Sequence, residues 1–269
     1  MTARLTTLAL LMVGLLLVAG AVSPVMAQTP KWEGDPARFQ VEVRLWIPGA
    51  LRASTYATGI VGGNSLDLDH VVGIQEKNTP EVRFCLLPSP ASRVRFGWTH
   101  TRFEGHNVVP ATFTFNGTQF GNGATVSGDI YQDYWYLNWA YEPIEIGEDT
   151  FRAGFVLGLH GWKSEIKLFN SAPGLAAKKQ FNNFFPAVGL AFDWAPSEYV
   201  TVFFEGSGAH QGADGWHLDA EGGVKVCPIK LLAIVISYRQ LDISNQENDS
   251  NWFGRWTIRG PYAGLDFRF

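Results

Sequence analysis

Cysteine is nearly missing. The chain of 269 residues carries two, Cys85 and Cys227, which excludes a disulfide-framed scaffold and a Cys-rich metal cluster. Charged residues are sparse, at 17 %, and almost balanced, with a formal net charge of −4. That leaves no electrostatic footprint for a nucleic-acid partner. There is no Gly-rich phosphate loop, no Cys/His metal spacing and no nucleophile elbow, so neither a cofactor nor a metal is expected. Beyond residue 27 no apolar run approaches the ~20 residues a membrane helix needs, so spanning by helices is excluded.

What is present starts with Arg4 and an almost wholly apolar run from Leu8 to Val22, followed by Ser23-Pro24-Val25-Met26-Ala27. A basic start, an apolar middle and small residues at the end read as a secretory signal peptide over 1–27, cleaved after Ala27. Residues 28–37 are then expected to form a short periplasmic N-terminal segment and 38–269 one large β domain. Aromatics at 14 % and 29 glycines suit a twisted sheet.

Alternation carries the fold. Successive side chains of a strand point to opposite faces, and from Phe39 to Ile47 the apolar Phe39, Val41, Val43 and Leu45 alternate with Gln40, Glu42, Arg44 and Trp46. The same period recurs around Phe84, Phe96, Leu137, Leu157, Leu190, Val202, Leu218, Ile236 and Leu265. This predicts ten antiparallel strands, with eight or twelve as alternatives. The connections at 88–92, 142–148, 195–198 and 227–230 are short, whereas 49–79, 104–128, 167–182, 209–214 and 242–254 are mostly longer and rich in Gly, Asn, Asp and Ser. Short turns on one side and long loops on the other are the habit of transmembrane barrels. Asn116-Gly117 is a hairpin signal, read as a hairpin above the membrane. A further short strand is possible near Ser65 to Asp69.

The last residues are Tyr262-Ala263-Gly264-Leu265-Asp266-Phe267-Arg268-Phe269. A terminal aromatic, alternate hydrophobics and a glycine five residues before the end resemble the assembly signal of bacterial outer-membrane barrels. The resemblance covers 38–269 as a pattern and is to the small barrels of the broad OmpA-like and OmpW-like group. It implies an outer-membrane location, contact with lipids and lipopolysaccharide, and handling of Tyr262, Gly264, Leu265, Phe267 and Phe269 by the barrel-assembly machinery. No particular activity comes with it.

Strand parity points Arg44, Arg83, Arg93, Arg95, Arg152, Lys225, Arg239 and Arg268 into the lumen together with Glu42, Glu81, Asp193, Glu205, Asp219, Glu221 and Asp266. Balanced signs suit ion pairs crossing a filled or narrowly wet lumen; a selective pore would more readily show one sign in excess. The expected network is Glu205, Asp219, Glu221, Lys225 and Arg239, with Arg239 level with Asp219 and Glu205. Cys85 and Cys227 fall four strands apart, too far for the ~7 Å Cα separation that limits a disulfide. The outward aromatics Trp98, Trp135, Trp139, Tyr141, Trp194, Trp216, Tyr238 and Phe269 suit membrane-interface girdles. Inward Trp46, Tyr134, Tyr136 and Trp162 offer a sugar-binding stripe as an alternative.

The leading expectation is a non-enzymatic barrel that supports the envelope or passes very small solutes. The rival is a hydrolase acting on lipid or peptide at the extracellular rim. Its candidate residues are Asp67, Asp69 and His70, a second set near His210, Asp214 and His217, and His100 beside Thr99 and Thr101. None of these matches a complete catalytic spacing, and no catalytic residue is assigned.

Overall fold

The computed structural model describes residues 39–48, 50–57, 66–75, 77–89, 91–147, 150–170, 174–211, 215–247 and 252–269. The expected signal peptide and the segment 28–37 lie outside them.

The elements, in chain order, are β1 (Phe39–Trp46), β2 (Ala50–Ala57), β3 (Leu66–Asp67), α1 (Leu68–Val72), β4 (Ile74–Gln75), β5 (Thr79–Ser89), β6 (Ser92–Val108), β7 (Phe113–Phe115), β8 (Thr118–Phe120), β9 (Thr125–Ile146), β10 (Phe151–Asn170), β11 (Ala176–Ser197), β12 (Val200–His210), β13 (Gly215–Ile229), β14 (Leu232–Glu247) and β15 (Trp252–Arg268). Strands β5, β6 and β9 to β15 pair with their long neighbours, and β1 pairs with both β5 and β15. The result is a closed antiparallel barrel of ten strands. The seam is fixed by Phe269, whose N–H donates to the Phe39 carbonyl at 2.9 Å.

Two features of the first strand differ from the sequence reading. Trp46-Ile47-Pro48 ends β1, but β2 resumes on the same neighbour. Trp46 pairs with Tyr262 and Ala50 with Arg259, so the first strand carries one extra residue across the break. Proline lacks the N–H that a ladder needs, and an unpaired extra residue is a β-bulge. The region 49–79 is therefore wall as much as loop: β2 pairs with β3, and β4 pairs with β6. Between them α1 buries Leu68 and Val72. Gly105 permits this approach, because a Cβ there would lie 2.7 Å from the Val72 carbonyl oxygen.

The second difference is strand length. Strands β9 and β11 run for 22 residues and β10 for 20, about twice the 9–11 that cross a bilayer. The loops expected at 104–128, 167–182 and 242–254 are largely strand. The reason is an inversion of the alternation partway up the barrel. In the lower part the outward residues are apolar: Phe155, Leu157 and Leu159 on β10, Leu190 and Phe192 on β11, Val43 and Leu45 on β1. Val188 and Leu190 are 67 % and 66 % exposed, tolerable only against lipid. Farther up, β10 presents Lys163, Glu165 and Lys167 outward while Trp162, Ile166 and Leu168 are buried inside. The same switch occurs on β6, with Arg102 outward and Phe103 buried. The upper barrel is thus built like a soluble one, standing above a membrane-embedded base. Trp98, Trp135 and Phe184 mark the outward boundary, with Trp135 and Phe184 rings 6.0 Å apart.

The hairpin of β7 and β8 turns at Asn116 and Gly117, with φ of 44° and 80°, the left-handed pair that a tight hairpin favours. It stays out of the wall and packs over the upper interior. Phe115 and Phe120 are fully buried in one cluster with Phe103, Ile130, Ile166 and Phe181. The Asn116 amide anchors the tip by donating to the Lys178 carbonyl at 2.7 Å.

Outside the membrane, Glu165 accepts from Lys167 and Lys178 at 2.6 and 2.8 Å, and from Gln180. Those hydrogen bonds bring its carboxyl down to about 2. A depressed carboxylate contributes stability above its unfolded pKa and loses it as pH falls through the folded value. The Glu165 side-chain resonance should therefore titrate near pH 2 rather than in the ordinary carboxylate range of about 4 to 5. Titration in that ordinary range would show that the three contacts do not hold in solution.

Candidate functional site

The barrel interior is the only large assembly of polar side chains buried among the described residues, and it is layered. Nearest the short turns, Arg93 bridges Glu142 and Asp193 at 2.7 and 2.6 Å. At the same end Lys225 bridges Glu42 and Asp266 at 2.6 and 3.2 Å. One level higher, Arg95 donates to Glu205 at 2.7 Å. Arg44 and Arg83 share Glu221, with donor distances of 3.0 and 2.8 Å to Oε2. Above these, Arg239 donates to both Asp219 oxygens at 2.7 Å and to Glu81 at 2.5 Å. Tyr262 gives its hydroxyl proton to Glu81 at 2.7 Å. A third acid–base level is not followed by a fourth: the next ring is aromatic, with Tyr134, Tyr136, His160 and His217. Beyond it the apolar cluster of the upper barrel begins, where Trp162 and Trp256 lie 4.4 Å apart.

Each charge is held because strand parity aims it inward and antiparallel pairing aligns it with acids on neighbouring or facing strands. Burying charges is costly unless every one finds partners, and here most carboxylates take two cations. The space left among Arg83, Arg95, Glu205, Asp219, Glu221 and Arg239 is about 10 Å³, room for roughly one water molecule.

The expected network needs rewiring. Arg239 stands opposite Glu221, not Asp219, in the β13–β14 ladder. It reaches Asp219 diagonally, and its second acid is Glu81 rather than Glu205. Glu205 instead accepts from Arg95 and from Asn138 at 2.9 Å. Lys225 pairs with Glu42 and Asp266, away from Glu205, Asp219 and Glu221. The register differs because the chain turns at Lys230 and Leu231, with Ile229 opposite Leu232, rather than about Pro228, and an irregularity between Val226 and Ile229 makes up only one residue of the difference. Inward Glu142 was missed for a similar reason. Pairing shifts between Ala153 and Phe155, which carries β9 past the point where a turn was expected.

Of the expected assembly-signal residues, Tyr262 points inward and stacks on Trp46 at 5.1 Å. Leu265, Phe267 and Phe269 are exposed on the outward face. Gly264 leaves room for the neighbouring strand, since a Cβ there would meet the Val43 carbonyl oxygen at 2.7 Å. Trp46, Tyr134, Tyr136 and Trp162 are buried in the interior packing, so they present no open stripe to a sugar. Cys85 is buried, Cys227 partly so, and both thiols are free.

The rim candidates separate. Asp67 lies in β3 and Asp69 and His70 in α1; Asp214 lies outside the described residues. His210 is exposed and His217 is buried in the lumen. His100 finds a partner that the sequence did not suggest: its Nδ1 is 2.6 Å from Asp133 Oδ1, on the exposed outward face just above Trp98. The cross-strand neighbours on that face are Trp98 with Trp135 and Arg102 with Tyr131.

No protein-family model matches the chain, and no curated protein matches it in sequence. Solved structures do. The outer membrane protease OmpT of Escherichia coli aligns over 92 % of this chain and 100 % of its own, with a TM-score of 0.55 at 10 % identity. The transport unit of the autotransporter AIDA-I of Escherichia coli aligns over 93 % and 94 %, with a TM-score of 0.41 at 7 % identity. OprG of Pseudomonas aeruginosa covers 88 % and 98 % at 12 % identity, with a TM-score of 0.36. The likeness to OmpT concerns the fold, and it agrees with the ring of ten strands and the apolar outward belt. By that architecture the chain has the fold of the bacterial outer-membrane β-barrels, with an apolar-faced base that suits a membrane and a taller, polar-faced wall.

Proposed function

We propose that this barrel is a closed, non-enzymatic envelope protein rather than a pore. The observation that carries the reading is the filling of the lumen. Three levels of paired charges occupy the base, and the space among Arg83, Arg95, Glu205, Asp219, Glu221 and Arg239 holds about one water molecule. An apolar cluster closed by the β7–β8 hairpin occupies the top. A hydrated ion meets side chains already bound to one another, then a dry layer. Such a barrel serves the envelope by anchoring in lipid and holding its polar outer wall in front of the membrane. Reconstituted in a planar bilayer, the full chain should give no discrete conductance steps above the lipid baseline. Regular steps that disappear on heat denaturation would replace this reading with a conducting one.

One observation favours the rival hydrolase. The His100–Asp133 pair is a possible general base at the lipid headgroup level. Its same-face neighbours are Trp98, Arg102, Tyr131 and Trp135, which include no serine, threonine or cysteine nucleophile. Hydrolysis of phospholipid or peptide by the purified barrel, abolished by Asp133→Asn, would establish the rival.

A further inference from the structure

The aromatic ring above the ion pairs contains an arrangement that the closed-barrel reading does not use. The Tyr134 oxygen lies 2.6 Å from His160 Nδ1, 3.0 Å from His217 Nε2 and 2.8 Å from Asp219 Oδ2. These groups come from β9, β10 and β13, so they meet across the lumen rather than along one strand. Potential ligand atoms of His160, His217 and Asp219 all lie within 4.8 Å of one another. All four side chains are at least nine-tenths buried.

Counting hydrogens shows that the cluster is short of one positive centre. Asn138 donates its amide to Glu205, so its oxygen faces His160 Nε2 at 2.9 Å and must accept from it. That places the proton of a neutral His160 on Nε2 and leaves Nδ1 a bare lone pair. Asp219 receives two hydrogen bonds from Arg239 and is a carboxylate, so Oδ2 is also an acceptor. Tyr134 has one hydroxyl proton for these two acceptors. One of the two contacts, at 2.6 or 2.8 Å, is left with lone pairs facing each other. His217 can at most add an Nε2–H to the same oxygen, and its Nδ1 has no partner.

A metal ion would resolve that excess of lone pairs. Two imidazoles, a carboxylate and a phenol oxygen form a borderline N/O donor set that suits zinc, copper, nickel or iron over magnesium or calcium. The supporting contacts are those of a ligand set: Asn138 fixes the ring of His160 through its remote N–H, and Arg239 fixes the carboxylate of Asp219. The charge of Arg239 is already shared with Glu81, and metal binding expels protons from the ligands, which limits the added positive charge. We propose that His160, His217 and Asp219, with the Tyr134 oxygen, form a site for one divalent transition-metal ion inside the barrel. The ion would tie three strands together across the lumen. No ligand spacing is visible along the chain because the two histidines sit on different strands, and no metal was expected.

The test uses the full barrel refolded in detergent with Co²⁺ as the probe, followed by gel filtration and metal analysis. The expected result is one Co²⁺ per chain with a visible ligand-field spectrum. His160→Gln and His217→Gln should each weaken retention at least tenfold, and His100→Gln should leave it unchanged. Retention that is absent in the wild type, or equal in wild type and His217→Gln, would overturn the proposal and leave a proton as the missing positive centre. Should the two histidine variants fail to fold, the electron paramagnetic resonance of Cu²⁺ in the His100→Gln barrel decides. Coupling to two imidazole nitrogens supports the site, and coupling to one or none overturns it.

Discussion

Arg239→Ala should lower the unfolding free energy of the barrel by on the order of 3–5 kcal/mol, the usual cost of removing one partner from a buried charge pair. Arg239 is 1 % exposed and donates to Asp219, Glu81 and the Tyr262 hydroxyl. Its two acids fare differently when it is gone. Glu81 keeps Arg83 at 2.9 Å and the hydroxyl of Tyr262, whereas Asp219 keeps only the shared hydroxyl of Tyr134. Asp219→Asn in the Arg239→Ala background should therefore restore part of the loss. Glu205→Gln should restore much less, because Glu205 is held by Arg95 and Asn138. Denaturant unfolding in micelles of the wild type, the three single variants and the two double variants gives the two coupling energies. Equal coupling of Arg239 to Asp219 and to Glu205, or effects additive within about 0.5 kcal/mol for Arg239 and Asp219, would contradict the observed wiring.

That comparison also marks how far the sequence could be read. The barrel was legible because period-two alternation survives in the lipid-facing half, where Val43, Leu157, Leu190 and Leu265 all face outward as expected. Parity likewise placed Glu205, Asp219, Glu221, Lys225 and Arg239 inside. Partner choice was not legible, because it depends on register, and register is set by bulges that leave no mark in composition. The turn falls at Lys230 and Leu231 rather than about Pro228, and with the one-residue irregularity at Val226 to Ile229 this sets Arg239 opposite Glu221 instead of Asp219. The extra residue at 47–49 hides β2 as a loop. The His100–Asp133 pair depends on the register of the adjacent strands β6 and β9, and the cluster around Tyr134 joins residues of β9, β10 and β13 that meet across the closed ring. The upper barrel escaped for a different reason: a polar residue followed by an apolar one has the same period whichever face is buried. Lys163 to Leu168 reads as alternation, yet nothing local says that the wet side has changed from the inside to the outside.

The inversion itself makes a prediction that a uniform membrane barrel would not share. Leu157 and Ile166 lie on the same strand, β10, on opposite faces; Leu157 is 45 % exposed outward and Ile166 is 0 % exposed inside. Leu157→Lys puts a cation into lipid and should cost about 2–4 kcal/mol near the bilayer midplane. Ile166→Lys removes a buried aliphatic side chain, a loss of about 2–5 kcal/mol even without the charge, and adds an ammonium among Phe103, Phe115, Phe120 and Phe181. Gln180→Lys, outward at the height of Glu165, should stay within about 0.5 kcal/mol, as ordinary surface changes do. A barrel embedded along its full height would give the reverse order for the upper pair, tolerating lysine at the inward position 166 and rejecting it at the outward position 180. Unfolding measured for the three variants in lipid bilayers, with detergent micelles as the reference, separates the cases. The Leu157→Lys penalty depends on the bilayer, whereas the Ile166→Lys penalty belongs to the protein interior and should persist in both.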